Sequence, residues 1–177
     1  MDKSCTEVSE YNANNMKIGV LSDIHIHKGQ QTLPKKLVDA LYLVDMILMA
    51  GDFVDVYVLN LFKSLPHLEA VHGNMDSSEI INMFSSKKII KVEEIKIGLI
   101  HGNGHPQELP EKVMKEFEKD CVQVIVFGHS HNPYNRIING VLLFNPGSPT
   151  DKIYSIYNSY GILEVNKNKV RGKIIRL

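Results

Sequence analysis

The sequence predicts an α/β fold with a sheet core. Over the first half, short apolar runs of strand length alternate with segments of helical period, the pattern of strands joined by crossover helices. The last third carries strand signals only, which argues for one sheet-based unit rather than two separate domains. Directly after five of the apolar runs come Asp, Asn or His residues. In an open α/β sheet such carboxyl ends share one edge, where ligands bind.

Residues 16–21, MKIGVL, are the first expected strand, closed by Ser22. From Thr32, the apolar positions Leu33, Leu37, Leu41 and Val44 follow helical spacing, with Thr32 as the N-cap. Residues 46–50, MILMA, make a second buried strand ended by Gly51, followed by a short helix over 57–64 and a strand over 67–71. In DSSE, 76–79, Asp76 takes the N-cap place of a capping box and Glu79 the third helical position. Strands are expected over 89–92 and 95–100, then a helix over 110–120 with Val113 and Phe117 inward, then a strand over 122–127. Asn139-Gly140 is the strongest short hairpin signal in the chain, and a last pair of strands turns near 166–168. Residues 1–15, MDKSCTEVSEYNANN, are polar and read as a disordered extension, which leaves 16–177 as a single domain.

A chain of 177 residues is long enough to bury a sizeable core. Lys+Arg and Asp+Glu both number 20, so net charge gives no ground for a nucleic-acid or anionic-membrane partner. Cys5 and Cys121 form neither a disulfide framework nor a zinc ribbon. The strongest apolar stretch, near Leu41–Ala50, is broken by Asp45 and too short to span a bilayer. The first fifteen residues lack the basic start and apolar centre of a signal peptide. A reduced, cytoplasmic protein is the expectation, with homo-oligomerisation left open.

The polar clusters carry the chemistry. SDIHIH supplies Asp23, His25 and His27; GDFVD supplies Asp52 and Asp55; HGNMD supplies His72, Asn74 and Asp76. HGNGH adds His101 and His105, and GHSH adds His129 and His131. Only His67 of the eight histidines falls outside, and it reads as a surface or packed residue. Each cluster alone has a plain explanation, since GD and GN are ordinary turn dipeptides. GHSH is sharper: residues at i and i+2 of an extended segment point to one side, ready for a metal, for acid–base work or for neither. Five clusters after five strands together favour a metal site. Imidazole, carboxylate and amide oxygen without thiolate suit Mn²⁺, Fe²⁺, Zn²⁺, Ni²⁺ or Co²⁺. The candidates exceed the needs of one ion, and two ions sharing a carboxylate would use them.

The ordered set D-x-H, GD, GN, H and G-H-x-H resembles the calcineurin-like metallophosphoesterase superfamily, especially its small bacterial and archaeal phosphodiesterases. The likeness covers almost the whole chain from Met16. It implies a four-layer α/β/β/α sandwich and a metal-dependent phosphodiesterase acting on a small-molecule phosphate diester. It further implies Asp23, His25 and His131 at a first metal, Asn74, His101 and His129 at a second, and Asp52 bridging both. Manganese is the expected metal of the pair, with nickel, cobalt, iron or zinc as alternatives. Two such ions clamp a phosphoryl group, and a bridging water gives the hydroxide for in-line attack on phosphorus; on one zinc the pKa of water falls from about 15.7 to about 7. The chain also resembles the retromer subunit that uses this fold for protein binding, so the competing expectation is a weakly active or inactive interaction scaffold. Against it, every ligand position here is filled by a competent donor.

Two departures shape the expectation. Many members of the superfamily have His after the Gly-Asn pair, where it helps protonate the leaving group; here the position is Met75, which cannot. A preference for diesters or good leaving groups follows, unless His72, His105 or His27 supplies the proton. His72 and His105 are therefore the catalytic candidates, and Asn74 and His105 the candidate substrate contacts. HGNGH stands where relatives have His-Gly-His, and His101 is taken as the ligand because it directly follows the strand. Asp55 either orients a ligand or starts a helix. NPGS, 145–148, reads as a structural turn, and Ser148 has no His–Asp arrangement to make it a nucleophile.

Overall fold

Met46–Ala50 is buried at all five positions, which demands cover on both faces of the sheet it joins. In the computed structural model, which describes residues 7–11, 15–29 and 32–177, that cover is a second sheet on one face and helices on the other. The strands are β1 (Glu7–Tyr11), β2 (Met16–Leu21), β3 (Met46–Ala50), β4 (His67–Val71), β5 (Lys87–Val92), β6 (Ile95–Ile100), β7 (Val124–Val126), β8 (Tyr134–Ile138), β9 (Val141–Asn145), β10 (Ser159–Asn166) and β11 (Lys169–Arg176). The helices are α1 (Lys35–Leu41), α2 (Leu59–Phe62) after one 3-10 turn, α3 (Ser78–Met83) and α4 (Leu109–Glu116). Among the described residues no helix is long and apolar enough to cross a membrane.

One sheet runs β11-β10-β2-β3-β4 and the other β1-β5-β6-β7-β9-β8. Strands β2, β3 and β4 are parallel, as are β6, β7 and β9, so each sheet gathers several carboxyl ends on one edge. Three apolar interfaces separate four layers. Between the sheets lie Val20, Leu48, Ala50, Ile97, Val126 and Phe144. On the outer face of the first sheet, Ile47 and Met49 meet Leu37, Leu41 and Phe62 of the helical side. On the outer face of the second, Ile125 and Leu143 meet Leu109, Val113 and Phe117. Alternation along β3 thus sends Met46, Leu48 and Ala50 to the inter-sheet core and Ile47 and Met49 to the helices. The fold is the α/β/β/α sandwich.

Most elements fall where the sequence puts them, including the Asn139-Gly140 hairpin, whose residues adopt φ 50° and 82° as the two-residue turn requires. Three places differ. Helix α1 begins at Lys35 with Pro34 as N-cap, not after a Thr32 cap, because a residue preceding proline, here Leu33, is driven out of helical backbone. Helix α3 is capped by Ser77, whose hydroxyl accepts from Ile80 N–H at 3.5 Å, one residue later than the capping box places it; Asp76 is engaged elsewhere. Third, Glu7–Tyr11, inside the segment read as disordered, pairs in parallel with β5 as an edge strand. Its composition gives little strand signal, but Tyr11 fixes it: the hydroxyl donates to Glu69 and meets His67 Nε2 at 2.8 Å. Glu69 Oε2 in turn pairs with Lys88 Nζ at 2.7 Å, so β1, β4 and β5 are tied together across the two sheets. The remainder of residues 1–15, apart from Asn15, lies outside the described residues.

Candidate metal centre

The parallel strands deliver their following residues to one edge, and backbone hydrogen bonds continue past the strand ends. Asp23 N–H donates to Gly51 O and His25 N–H to Asp52 O, each at 3.1 Å, which joins the loops after β2 and β3. Gly128 N–H donates to His101 O at 3.0 Å, joining the loops after β7 and β6. Close approach of these loops requires glycine: a Cβ on Gly73 would stand 2.1 Å from Asp52 Oδ1, and one on Gly128 would stand 1.7 Å from Ser22 Oγ. Five of the sequence-predicted metal residues, Asp23, His25, Asp52, His129 and His131, hold left-handed backbone with φ from 39° to 67°. Such backbone is unfavourable for side-chain-bearing residues and is retained where the surroundings over-determine it. For His129 and His131 it replaces the extended segment read from GHSH. Their rings consequently serve different neighbours: His129 Nδ1 lies 3.0 Å from Asn74 Oδ1, and His131 Nε2 lies 3.5 Å from Asp23 Oδ1.

At the centre, Asp23 and Asp52 are 0% and 2% exposed and His101 is 3% exposed. A single oxygen, Asp52 Oδ2, lies 3.4 Å from His25 Nε2 and 3.3 Å from His101 Nε2. Those two imidazole nitrogens are buried and make no hydrogen bond. Orphaned buried nitrogens are costly unless something else satisfies them. The spacing says what can. Ligand atoms about 2.1 Å from one ion, at angles near 90–110°, stand about 3.0–3.5 Å apart, which is the range of the His25–Asp52, His101–Asp52, His131–Asp23 and His129–Asn74 separations. Asp23, His25 and His131 form one group able to hold a cation, and Asp23, Asp52 and His101 another.

The charges are unevenly settled. Burial lifts the Asp23 carboxyl above its usual range, against the pull of His101 and His131. Burial also pushes Asp52 upward, but the adjacent His101 ring and the Met75 N–H outweigh it and hold the carboxyl low. His25 is lowered by burial. For His101 burial is opposed and overcome by Asp52 and Asp23, which raise it to about 9. Its other nitrogen, Nδ1, lies 2.6 Å from Ala50 O; donation there fixes the ring and leaves Nε2 facing the carboxylates.

Several residues that position the cluster carry no signal as ligands. Asp76 accepts from three backbone amides: Asp52 at 3.0 Å, Val54 at 2.7 Å and Gly73 at 2.7 Å. It clamps the loops after β3 and β4, and the capping-box pattern concealed this by offering it a helix instead. Asp151, absent from the sequence-based candidates, lies 2.6 Å from His131 Nδ1, the carboxylate–histidine pairing that sets a ligating ring's tautomer. Ser22 donates to Asp23 Oδ2 at 2.6 Å. Ser148 is buried and donates to Asp23 O at 2.7 Å, so NPGS holds the backbone of the first cluster. Asp55 caps the 3-10 turn through Tyr57 N–H at 2.8 Å and is the helix starter of its two readings.

The remaining candidates divide. His25, Asp52, Asn74, His129 and His131 line one cavity of about 770 Å³, with Met75 at its wall. His72 lines a neighbouring groove with Asn74, His101 and Asn103. His105 is exposed on the loop after β6, beside Pro106, which reaches the main cavity. His27 is exposed, and His67 belongs to the Glu69 network.

Comparison with known proteins agrees with this arrangement. The family model of the calcineurin-like phosphoesterase superfamily domain matches residues 16–168. A probable metallophosphoesterase of Methanocaldococcus jannaschii is 38% identical over 136 residues, 76% of this chain and 69% of that protein. A phosphodiesterase of the same archaeon is 28% identical over 176 residues, covering 90% of this chain and 99% of its own. The solved structure of vacuolar protein sorting 29 from Cryptosporidium parvum superposes with a TM-score of 0.78 over 93% of each chain at 23% identity, a likeness of fold. With the family match extending from β2 into the final hairpin and the polar strand ends converging on one buried cluster, the chain belongs to the calcineurin-like phosphoesterase superfamily.

Proposed function

We propose that this protein is a metal-dependent phosphodiesterase of the cytoplasm that holds two divalent ions and hydrolyses a small phosphate diester. The observation that carries the reading is the shared oxygen Asp52 Oδ2, flanked by the partnerless Nε2 atoms of His25 and His101. Asp23, His25, His131 and Asp52 would hold one ion, and Asp52, Asn74, His101 and His129 the other. Manganese is the expected occupant, since the donor set is oxygen and imidazole without thiolate. Such a pair supplies Lewis acidity toward the phosphoryl oxygens and a water acidic enough to act near neutral pH.

The chain's own groups do the rest. Asp151 and the Ala50 carbonyl lock the His131 and His101 rings, so the donors stand ready without reorganisation. Met75 presents its N–H to Asp52 Oδ1 at 2.8 Å and a thioether to the cavity, so no proton reaches the leaving group from that position. His105 is the candidate proton source and substrate contact on the exposed loop, with Asn74 facing the substrate from the opposite cluster. An ester with a weakly basic leaving group, which departs without being protonated, suits this wall better than one that expels an alkoxide.

The test is turnover of bis(p-nitrophenyl) phosphate against p-nitrophenyl phosphate by protein stripped with chelator and reloaded with Mn²⁺. Diester turnover that disappears on stripping, returns on loading and is lost in Asp52→Asn is the expected result. Failure with Mn²⁺, Ni²⁺, Co²⁺ and Zn²⁺ alike would leave a protein-interaction scaffold as the reading. Full activity of His105→Ala on a diester with a poor leaving group would remove that residue as the acid.

A further inference from the structure

The cavity beside the cluster is far larger than a phosphoryl group, and its outer wall is apolar. Met75, Ile153 and Tyr154 line it and are 56%, 81% and 71% exposed, with Ile156 beside them at 78%. Scattered exposed apolar side chains are ordinary, but several lining the mouth of one polar site mark a binding surface. These side chains are not on a slack loop. The Asp151 carboxylate accepts from the backbone amides of Ile153 at 2.8 Å, Tyr154 at 3.0 Å and Ser155 at 2.9 Å while holding His131 Nδ1. Ser155 Oγ donates to His131 O at 3.1 Å, and Ile156 N–H to Asn132 Oδ1 at 3.1 Å. One carboxylate therefore sets both a cluster histidine and the loop that displays Tyr154. The Tyr154 and His131 rings meet nearly at right angles, centroids 5.8 Å apart and planes at 85°, and most of the Tyr154 surface is open.

We propose that this wall is the subsite for one ester substituent of the substrate, and that the substituent is a flat aromatic group, an aryl ring or a nucleobase, stacked on Tyr154. The inference rests on the phosphodiesterase reading and names its substrate class. A tyrosine face and a methionine thioether both favour an aromatic partner. Among the described residues lining the cavity, Lys152 is the one Lys or Arg, so the wall beyond the cluster offers a further phosphate one side-chain cation.

The probes are diphenyl phosphate and di-n-butyl phosphate, equal in charge and both with apolar ester groups, titrated calorimetrically into Mn²⁺-loaded protein. The wild type is expected to bind the diphenyl ester about ten-fold more tightly, the size of one stacking contact. In Tyr154→Ala and Tyr154→Leu that ratio is expected to fall toward one. Because both ligands share the phosphodiester, the ratio cancels any effect of the substitutions on the cluster itself. A wild-type preference for the butyl ester, or a ratio unchanged by either substitution, overturns the aromatic subsite. Turnover of bis(p-nitrophenyl) phosphate separates the two readings. Metal-dependent turnover with no aromatic preference sinks the subsite alone; an aromatic preference without turnover keeps the subsite and removes the hydrolase.

Discussion

Asp76 and Ser77 are neighbours with different tasks, and the difference is measurable. Asp76 satisfies two buried amides and a third that is partly buried, whereas Ser77 caps a short helix through one long hydrogen bond. Asp76→Ala is expected to lower the unfolding free energy by about 3 kcal/mol or more, since each orphaned buried donor costs roughly 1–3 kcal/mol. Ser77→Ala should cost about 1 kcal/mol or less. Urea unfolding of both variants decides it, and equal losses would return Asp76 to the role of helix cap. Asp151 acts through His131. Asp151→Asn should weaken metal binding about 10- to 100-fold, as loss of a carboxylate behind a ligating histidine does, and a Mn²⁺ titration of chelator-stripped protein reads this directly.

At the scale of elements, the two sheets are tied at one edge by Glu69 of β4, Lys88 of β5 and Tyr11 of β1. Burial pushes the Glu69 carboxyl upward, but Lys88, Tyr11 and His67 outweigh it and hold it down at about 2. A carboxyl whose folded pKa lies below its unfolded value, about 4.3, stabilises the fold above the unfolded pKa. That contribution is lost as pH falls from about 4.5 to about 2, and a shift of this size corresponds to roughly 3 kcal/mol. Wild type should therefore lose stability between pH 5 and pH 2 more steeply than Glu69→Gln, which has no proton to take up at this position. Parallel slopes in the two proteins would remove Glu69 from the acid response.

The whole molecule places two carboxylates, several imidazoles and five left-handed residues around one buried point. Divalent cations that bind there must stabilise the fold by mass action, about 2.7 kcal/mol at a hundred times the dissociation constant. In a chain of 177 residues, each 1 kcal/mol moves the melting temperature by about 2–4 °C, so chelation should lower it by roughly 5–10 °C. Asp52→Ala should melt at a temperature nearly independent of Mn²⁺. Equal sensitivity of the variant and the wild type would place the stabilising ion elsewhere.

The sequence alone determined the alternation of strands and helices, the Asn139-Gly140 hairpin and the list of strand ends from which the cluster is built, because period, turn chemistry and residue type are local properties. It also put Asp23, His25, Asp52, Asn74, His101, His129 and His131 among the candidates, since each lies within a few residues of the end of an apolar run. Tertiary structure decided what those residues face. Left-handed backbone at His129 and His131 sends their rings to different neighbours, a conformation that only the packed loops impose. Asp151 meets His131 from twenty positions away along a loop with no helical or strand period, and Asp76 looked like a helix cap because capping and loop-clamping ask for the same side chain. Strand β1 escaped notice for the same reason in reverse: its five residues carry too little apolar pattern to announce a strand, and a buried partner across the sheets, Glu69, holds them in place.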